Sequence, residues 1–488
     1  MKYTCTIFLF ISIFYTRLVT AQDCNCYKNY SWLKETFEQN DAGFQYAVDQ
    51  KGKEKYKEHC DTYASKTKTI TQKDTCAKAL MNWLLFFRKG HIWVGVNQSQ
   101  TNARNQQTPG NPTEVKAQFK NWQTYPYKEK EFSQYISQLK EPSMEGVWAS
   151  PPYKIGVKKV DNKYIGFIME ADGVYWTKSQ VKFQLEEKNG KMIAIYHPLD
   201  HSKLEFDDVA LVGNNYLKIG PYFFKRDQPH FSEQKNIELS VRSLSSDGPL
   251  FETISASTNL LRIPSFSDSE KDVIDSIIAA NETLILQTEN LIIDLRYNGG
   301  GSDMSYQNLL PFLYTNPIRE VGVKYLSTPL NNRRMEEFAS SPDNSEEDNE
   351  WYKNTLERLN NNIGKFVGIG DTSISVSTLD TIYPFPKKIG IIINEGNAST
   401  TEQFLLAAKQ SQKVKLFGTT TMGCLDISNM YFTDSPSGEF RLGYCLSKSN
   451  RIPEFMIDEK GIQPDYFLDS SISQYDWIDS VIAILEGR

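Results

Sequence analysis

The chain has 488 residues, of which 40% are hydrophobic, 12% aromatic and 23% charged. That length supports several domains with sizeable cores, and the composition excludes a disordered chain or a polytopic membrane protein. Its 54 basic and 60 acidic side chains give a net charge of −6. No Lys/Arg-dense stretch is present to neutralise phosphates, so nucleic acid is not an expected partner.

Residues 1–21 read as a secretory signal peptide. Lys2 supplies the positive start, residues 7–15 are almost wholly apolar, and Val19-Thr20-Ala21 precedes a plausible cut at Gln22. The apolar run is too short to span a bilayer. The expectation is an exported soluble protein, periplasmic or extracellular. Cys24 follows Gln-Asp, a poor match to a lipoprotein signal, so no lipid anchor is expected. Of the seven cysteines, Cys5 falls in the signal, leaving an even set: Cys24, Cys26, Cys60, Cys76, Cys424 and Cys445. In an exported chain that favours disulfides over free thiols. The first four are expected to form two bridges, in any of three connectivities. Cys424 and Cys445 flank an expected β-hairpin turning at residues 435–438 and are expected to pair across it. A zinc site is the weaker reading, because Cys-x-Cys fits it poorly and no His lies at a usual offset, so no metal is expected.

Residues 22–142 read as an N-terminal helical domain. Residues 76–87 carry apolar side chains at helical spacing before Gly90, and residues 98–112 are Asn/Gln/Thr-rich and loop-like. Residues 143–228 contain short β runs at 147–148, 154–157, 164–168, 181–185, 194–196 and 216–219, which predicts a small all-β barrel or sandwich. Its aromatic residues Trp148, Tyr164, Phe167, Tyr175 and Trp176 fit a core better than a binding groove. Residues 229–488 alternate β runs (260–263, 291–295, 389–393, 414–417) with helical stretches (270–288, 401–410). That alternation predicts an α/β domain with a largely parallel sheet. The acidic, polar stretch 340–350 reads as a solvated loop.

Two turns of the α/β domain carry potential chemistry. Residues 291–302 run from an apolar strand into Gly299, Gly300 and Gly301. Glycines there let the backbone approach a substrate and aim N–H groups at a developing anion, although a tight strand-to-helix turn explains them equally. No Gly-Lys-Ser/Thr follows, so a P-loop is excluded. Residues 391–402 lead from a strand to Ser399 at the start of an amphipathic helix, where the positive end of the dipole favours an alkoxide or oxyanion. Ser399 and Glu402 also spell the capping box Ser-x-x-Glu, and on spacing alone the capping reading stands ahead.

Together these turns resemble the C-terminal processing (tail-specific) serine peptidases, a family that includes the tricorn core and the retinoid-binding-protein-like members. Residues 294–301, Asp-Leu-Arg-Tyr-Asn-Gly-Gly-Gly, are similar to the family's Asp-x-Arg-x-Asn-x-Gly-Gly signature. Residues 397–402 resemble the turn bearing its nucleophile. Gly418-Thr-Thr-Thr-Met-Gly423 and Gly461-Ile-Gln-Pro-Asp465 match two further landmarks in order. One branch of the family places a catalytic Lys directly after Thr-x-Gly. This chain has Cys424 there. The tricorn branch uses a His from the N-terminal helical region, and residues 85–91, ending Lys89-Gly90-His91, resemble that motif with Lys89 in place of an Asp.

The resemblance therefore implies a catalytic triad of Ser399 as nucleophile, His91 as general base and Asp458 as the carboxylate that orients the imidazole, with Glu459 adjacent. Only five His occur in the chain, and a serine hydroxyl needs a neutral imidazole to take its proton. The oxyanion hole implied is the Thr400 backbone N–H with that of Gly299 or Gly300. The fold implied for residues 229–488 is crotonase-like (ClpP-like). No PDZ pattern is visible in the β-domain. The function expected is an exported serine endopeptidase cleaving peptides or unfolded proteins, with no cofactor. Two other readings stay open: an inactive peptidase scaffold binding a peptide or apolar ligand, and an acyl-thioester enzyme, which export disfavours.

Overall fold

The computed structural model of the protein describes residues 24–97, 112–342, 344–370 and 372–488. The expected signal peptide, 1–21, and nearly all of the expected loop at 98–112 lie outside them. Among the described residues, no helix is long and apolar enough to cross a membrane. Compactness divides the chain into two units that cut across its linear order. One takes Met1–Gln100, Val323–Asp371 and Ile427–Asn450; the other takes Thr101–Gly322, Thr372–Asp426 and Arg451–Arg488.

In the first unit, helices Cys26–Asn40, Phe44–Lys51 and Lys73–Leu84 bury apolar side chains, and Lys53–Thr67 packs half-buried Tyr56, Tyr63 and Ala64 against them. Tyr30, Leu33 and Phe37 recur at helical spacing, and Phe37 meets the rings of Phe44, Trp83 and Phe87. A Cys26–Cys76 disulfide ties the first helix to the fourth. The expected second bridge among the N-terminal cysteines is not formed, nor is the Cys424–Cys445 bridge. The expected hairpin does form, as strands Ile427–Asp434 and Phe440–Ser449. However, Cys445 faces Met430 in its register, and Cys424 precedes the first strand. Strand Phe440–Ser449 also pairs antiparallel with Trp93–Val96 and Val323–Leu326. Its alternate residues Phe440, Leu442, Tyr444 and Leu446 enter the helical core.

The acidic stretch 340–350 is not simply a loop. Ser345 accepts from the Asp348 N–H at 3.1 Å and caps helix Glu346–Asn360 in a complete capping box. Glu346, Glu347 and Asp348 fill its first turn, where carboxylates complement the positive helix end.

The second unit contains two large sheets. Strands between Gly146 and Gln228 form a nine-stranded antiparallel sheet around a core that includes Trp148, Trp176 and Phe183, all fully buried. The other sheet has six strands in the order Leu250–Thr253, Thr258–Arg262, Asn290–Asp294, Lys388–Ile393, Val414–Gly418 and Tyr466–Phe467. All neighbours after the first pair run parallel. Alternation along the strands splits the apolar side chains between two faces. Ile263, Ile293, Ile391, Ile393 and Leu416 pack with helices Lys271–Ile285 and Thr400–Ala408. Leu260, Ile292, Ile392 and Phe417 pack with Leu239 and helix Trp477–Glu486. Burial on both faces explains why these strands read as continuous apolar runs, and each buried Ile or Leu contributes about 2 kcal/mol.

Candidate active site

Parallel strands present their carboxyl ends along one edge, so the loops that follow them assemble side by side. In the second unit, three such loops, 295–301, 394–399 and 419–424, follow adjacent strands. Ser399 sits at the tip of the middle one with φ 57° and ψ −127°. That conformation is sparsely populated for a residue with a Cβ and costs about 1–3 kcal/mol. Neutral hydrogen bonds hold the turn. Ser399 N–H donates to the Cys424 carbonyl at 2.9 Å, and the Ser399 carbonyl receives Gln403 N–H at 3.0 Å. Buried Asn397 donates to the carbonyls of Leu295 (2.5 Å) and Asn298 (3.1 Å) and accepts from Asn394 N–H at 2.7 Å.

The capping box expected from Ser399 and Glu402 is not formed. Ser399 makes no side-chain capping bond. The Glu402 carboxylate, fully buried, instead accepts from the Thr421 hydroxyl at 2.5 Å and from the N–H groups of Gly423 and Cys424 at 2.8 Å. Burial raises its pKa above the ordinary carboxylate value, although those donors pull it back. Spacing along one helix could not reveal this, because the competing donors come from another loop.

The glycine run packs directly on this turn. A Cβ at Gly300, whose φ is +100°, would lie 2.8 Å from the Ala398 carbonyl oxygen and 2.9 Å from both Ser399 Cβ and Thr400 N. Only glycine allows that approach. Gly300 N–H is committed to Asn298 Oδ1 at 3.0 Å, and the same oxygen accepts the Thr401 hydroxyl at 2.8 Å. The Thr400 hydroxyl donates to the Gly301 carbonyl at 2.9 Å. Gly299 is exposed, and Thr400 opens the helix, where the first N–H groups have no intrahelical partner.

Beneath the glycines, Asp294 and Arg296 form a fully buried two-point ion pair at 2.9 and 2.6 Å. Ser243 donates to Asp294 at 2.7 Å, and Arg262 lies 3.6 Å from it. Burial works against the Asp294 charge, yet the two guanidinium groups outweigh it and hold the carboxyl well below its ordinary range. The Asp-x-Arg part of the motif is thus a foundation for the loop above it.

Asp458 lies in the same unit. Its Oδ1 accepts the N–H groups of Leu425 and Asp426, both at 2.6 Å. Asp426 returns the connection by accepting from the N–H groups of Ile457 (2.5 Å) and Asp458 (2.9 Å), and it pairs with Arg451 at 2.7 Å. Glu459 has φ 64°, and its N–H donates to the Gly423 carbonyl at 2.8 Å.

His91 belongs to the first unit, in a left-handed turn (φ 52°) beyond helix Lys73–Leu84. Its Nδ1 lies 2.7 Å from the Ile427 carbonyl oxygen. Burial lowers its pKa below 6.5, the Ile427 bond opposes that shift, and nearby Arg88 reinforces it. Sequence reading missed Ile427, Arg88 and Asn298. A backbone carbonyl leaves no trace in residue type, and an Asn in a glycine turn is most simply a turn former.

A sequence profile described as Peptidase family S41 matches residues 257–468. No curated protein matches the chain. Similar solved structures include mature CPAF, at 13% identity and TM-score 0.49, covering 95% of this chain and 98% of that one. The photosystem II D1 C-terminal processing protease is 12% identical with TM-score 0.39, covering 95% and 97%. The tricorn protease is 12% identical with TM-score 0.38, covering 95% of this chain and 37% of that one.

Proposed function

We propose that this chain, whose residues 257–468 match the peptidase family S41 profile, is a serine-type peptidase that cleaves peptides or unfolded proteins through an acyl-enzyme on Ser399, with His91 as its base. The observation that carries the reading is Ser399 itself. It holds a strained backbone at a helix N-terminus, forms no capping bond, and is packed against a glycine that no other residue could replace.

His91 is the general base. With Nδ1–H given to the Ile427 carbonyl, Nε2 keeps its lone pair and takes the proton of Ser399 Oγ as that oxygen attacks the scissile carbonyl. The tetrahedral oxyanion is received by Thr400 N–H and by Gly299 N–H, since Gly300 N–H already serves Asn298. The imidazolium returns the proton to the departing amine. Water, deprotonated by the same nitrogen, then releases the new carboxylate. Asp458, expected to orient the imidazole directly, is instead a positioning residue in this reading. It fixes the amides of Leu425 and Asp426, the two residues that precede Ile427.

The parallel strands and intervening helices support a crotonase-like core within residues 229–488, with residues 22–142 as a helical domain and 143–228 as an inserted β-domain. Export after removal of residues 1–21 completes the reading, nearest the tricorn-like branch of the family.

The test is labelling by a fluorophosphonate probe. Wild-type protein is expected to label. Ser399→Ala abolishes the signal, and His91→Ala slows it by about 10²–10⁴-fold, the range of a general base. Asp458→Ala reduces it less. A folded wild-type protein that does not label overturns the reading in favour of an inactive scaffold.

A further inference from the structure

His91 is fastened by its backbone as well as by its ring. The His91 carbonyl accepts from Arg88 Nη2 at 2.9 Å and from the Cys445 thiol at 3.3 Å, and Arg88 Nε donates to the Gly90 carbonyl at 3.1 Å. Arg88 is itself locked to Asp41 by two parallel bonds of 2.7 and 2.6 Å, with 8% of the arginine and 2% of the aspartate exposed. Asp41 also accepts Gly43 N–H at 2.9 Å and Cys445 N–H at 3.0 Å. One carboxylate therefore joins the end of helix Cys26–Asn40, the Arg88–His91 turn and strand Phe440–Ser449.

We infer that the Asp41–Arg88 pair is a positioning device for His91, setting its tautomer by pinning the turn so that Nδ1–H must meet the Ile427 carbonyl. This rests on His91 being the base in the proposed reaction. A buried ion pair often contributes no more than conformational definition. Here the geometry gives it a specific task, because two of its N–H groups go to the carbonyls of Gly90 and His91 themselves. A planar fork can hold a carboxylate and two carbonyls at once, whereas an ammonium cannot reproduce those directions. A left-handed residue with a Cβ persists only where its surroundings over-determine it, and these bonds supply that constraint. Imidazole oriented by a neutral carbonyl gains no anion to stabilise its charged form. With Arg88 close by, the ring therefore stays neutral and able to accept a proton.

The experiment uses the full chain with ¹⁵N-labelled histidine, read by long-range ¹H–¹⁵N correlation, with His91→Gln assigning one of five imidazoles. Wild-type His91 is expected as the Nδ1–H tautomer, titrating below 6.5. Arg88→Lys keeps the charge but loses the fork. The titration should stay low while the second tautomer becomes populated, and fluorophosphonate labelling should slow about tenfold. The double variant Asp41→Asn/Arg88→Met removes both charges without leaving either alone. There the midpoint should move upward and labelling should fall about a hundredfold.

A double variant that melts cooperatively yet keeps the wild-type tautomer, midpoint and labelling rate overturns the inference. If it fails to fold, Arg88→Lys decides alone, and an unchanged tautomer and rate overturn it equally. Labelling of His91→Ala at the wild-type rate would remove His91 as base. The tautomer measurement would then still report on the clamp by itself.

Discussion

Ser399 and His91 both have positive φ, 57° and 52°, and the molecule holds them there by different means. The Ser399 turn is held by many neutral bonds from Asn298, Asn397, Thr400 and Thr401, with charge kept one layer away in Asp294–Arg296 and Glu402. The His91 turn hangs chiefly on one charged fork, Arg88 on Asp41, supplemented by the Ile427 carbonyl and the Cys445 thiol. A distributed neutral network loses a fraction of its hold with each bond removed, because each contributes about 1 kcal/mol net. A buried ion pair is closer to all-or-none, since removing one partner strands the other.

The largest expected effect tests the charge beneath the neutral network. Asp294→Asn leaves Arg296 and Arg262 buried without their anion and should cost about 3–5 kcal/mol of unfolding free energy in a denaturant titration. Since the Asp294 carboxyl is held below its ordinary value, its contribution is complete above pH 3.8 and is lost as pH falls below that. A loss no larger than that of a single neutral bond would erase the distinction between the two turns.

Gly300→Ala comes next. Its Cβ would press on the Ser399 turn from 2.8–2.9 Å, and labelling should fall about 10²-fold through displacement of the nucleophile. A wild-type rate would show that the glycine is only a turn former.

Lys182 is the counter-case, a buried ammonium placed over aromatic faces. It is 3% exposed and lies 4.2 Å from the Trp176 ring centroid and 5.0 Å from that of Tyr196. Burial pushes its pKa down to about 7 despite Asp172 and Asp200. Between pH 7 and 10.5 the unfolded chain binds a proton that the folded chain releases, so stability rises with pH across that window. Lys182→Met should flatten that rise and add about 1–2 kcal/mol at neutral pH, as removal of a buried charge can. Destabilisation would mean that the aromatic contacts outweigh the burial cost.

The smallest effect concerns Ser399→Ala. Since its hydroxyl makes no capping bond, stability should change by less than about 0.5 kcal/mol, as for an ordinary surface substitution. A loss of about 1 kcal/mol in thermal unfolding would restore the capping reading.

Two similar patterns show where reading along the chain succeeds and where it fails. Ser345-x-x-Asp348 lies in a stretch that reads as a solvated loop, yet it forms a complete capping box on a surface helix. Ser399-x-x-Glu402 reads as a capping box and forms none, because Thr421, Gly423 and Cys424 capture its carboxylate. At the surface, local bonding wins once the helix exists. In the interior, donors from other loops compete and win.

The parallel strands and helices, the hairpin and the glycine turn were legible because burial imposes periodicity on neighbouring residues, and periodicity is a property of sequence. The order of the motifs likewise marked Ser399 and His91 as candidates. The bond from His91 Nδ1 to Ile427, the Asp41–Arg88 fork, the commitment of Gly300 N–H to Asn298 and the absence of the expected Cys424–Cys445 disulfide were not legible. Each depends on which backbone group or distant side chain arrives within hydrogen-bonding reach, and such distances are set when the chain packs.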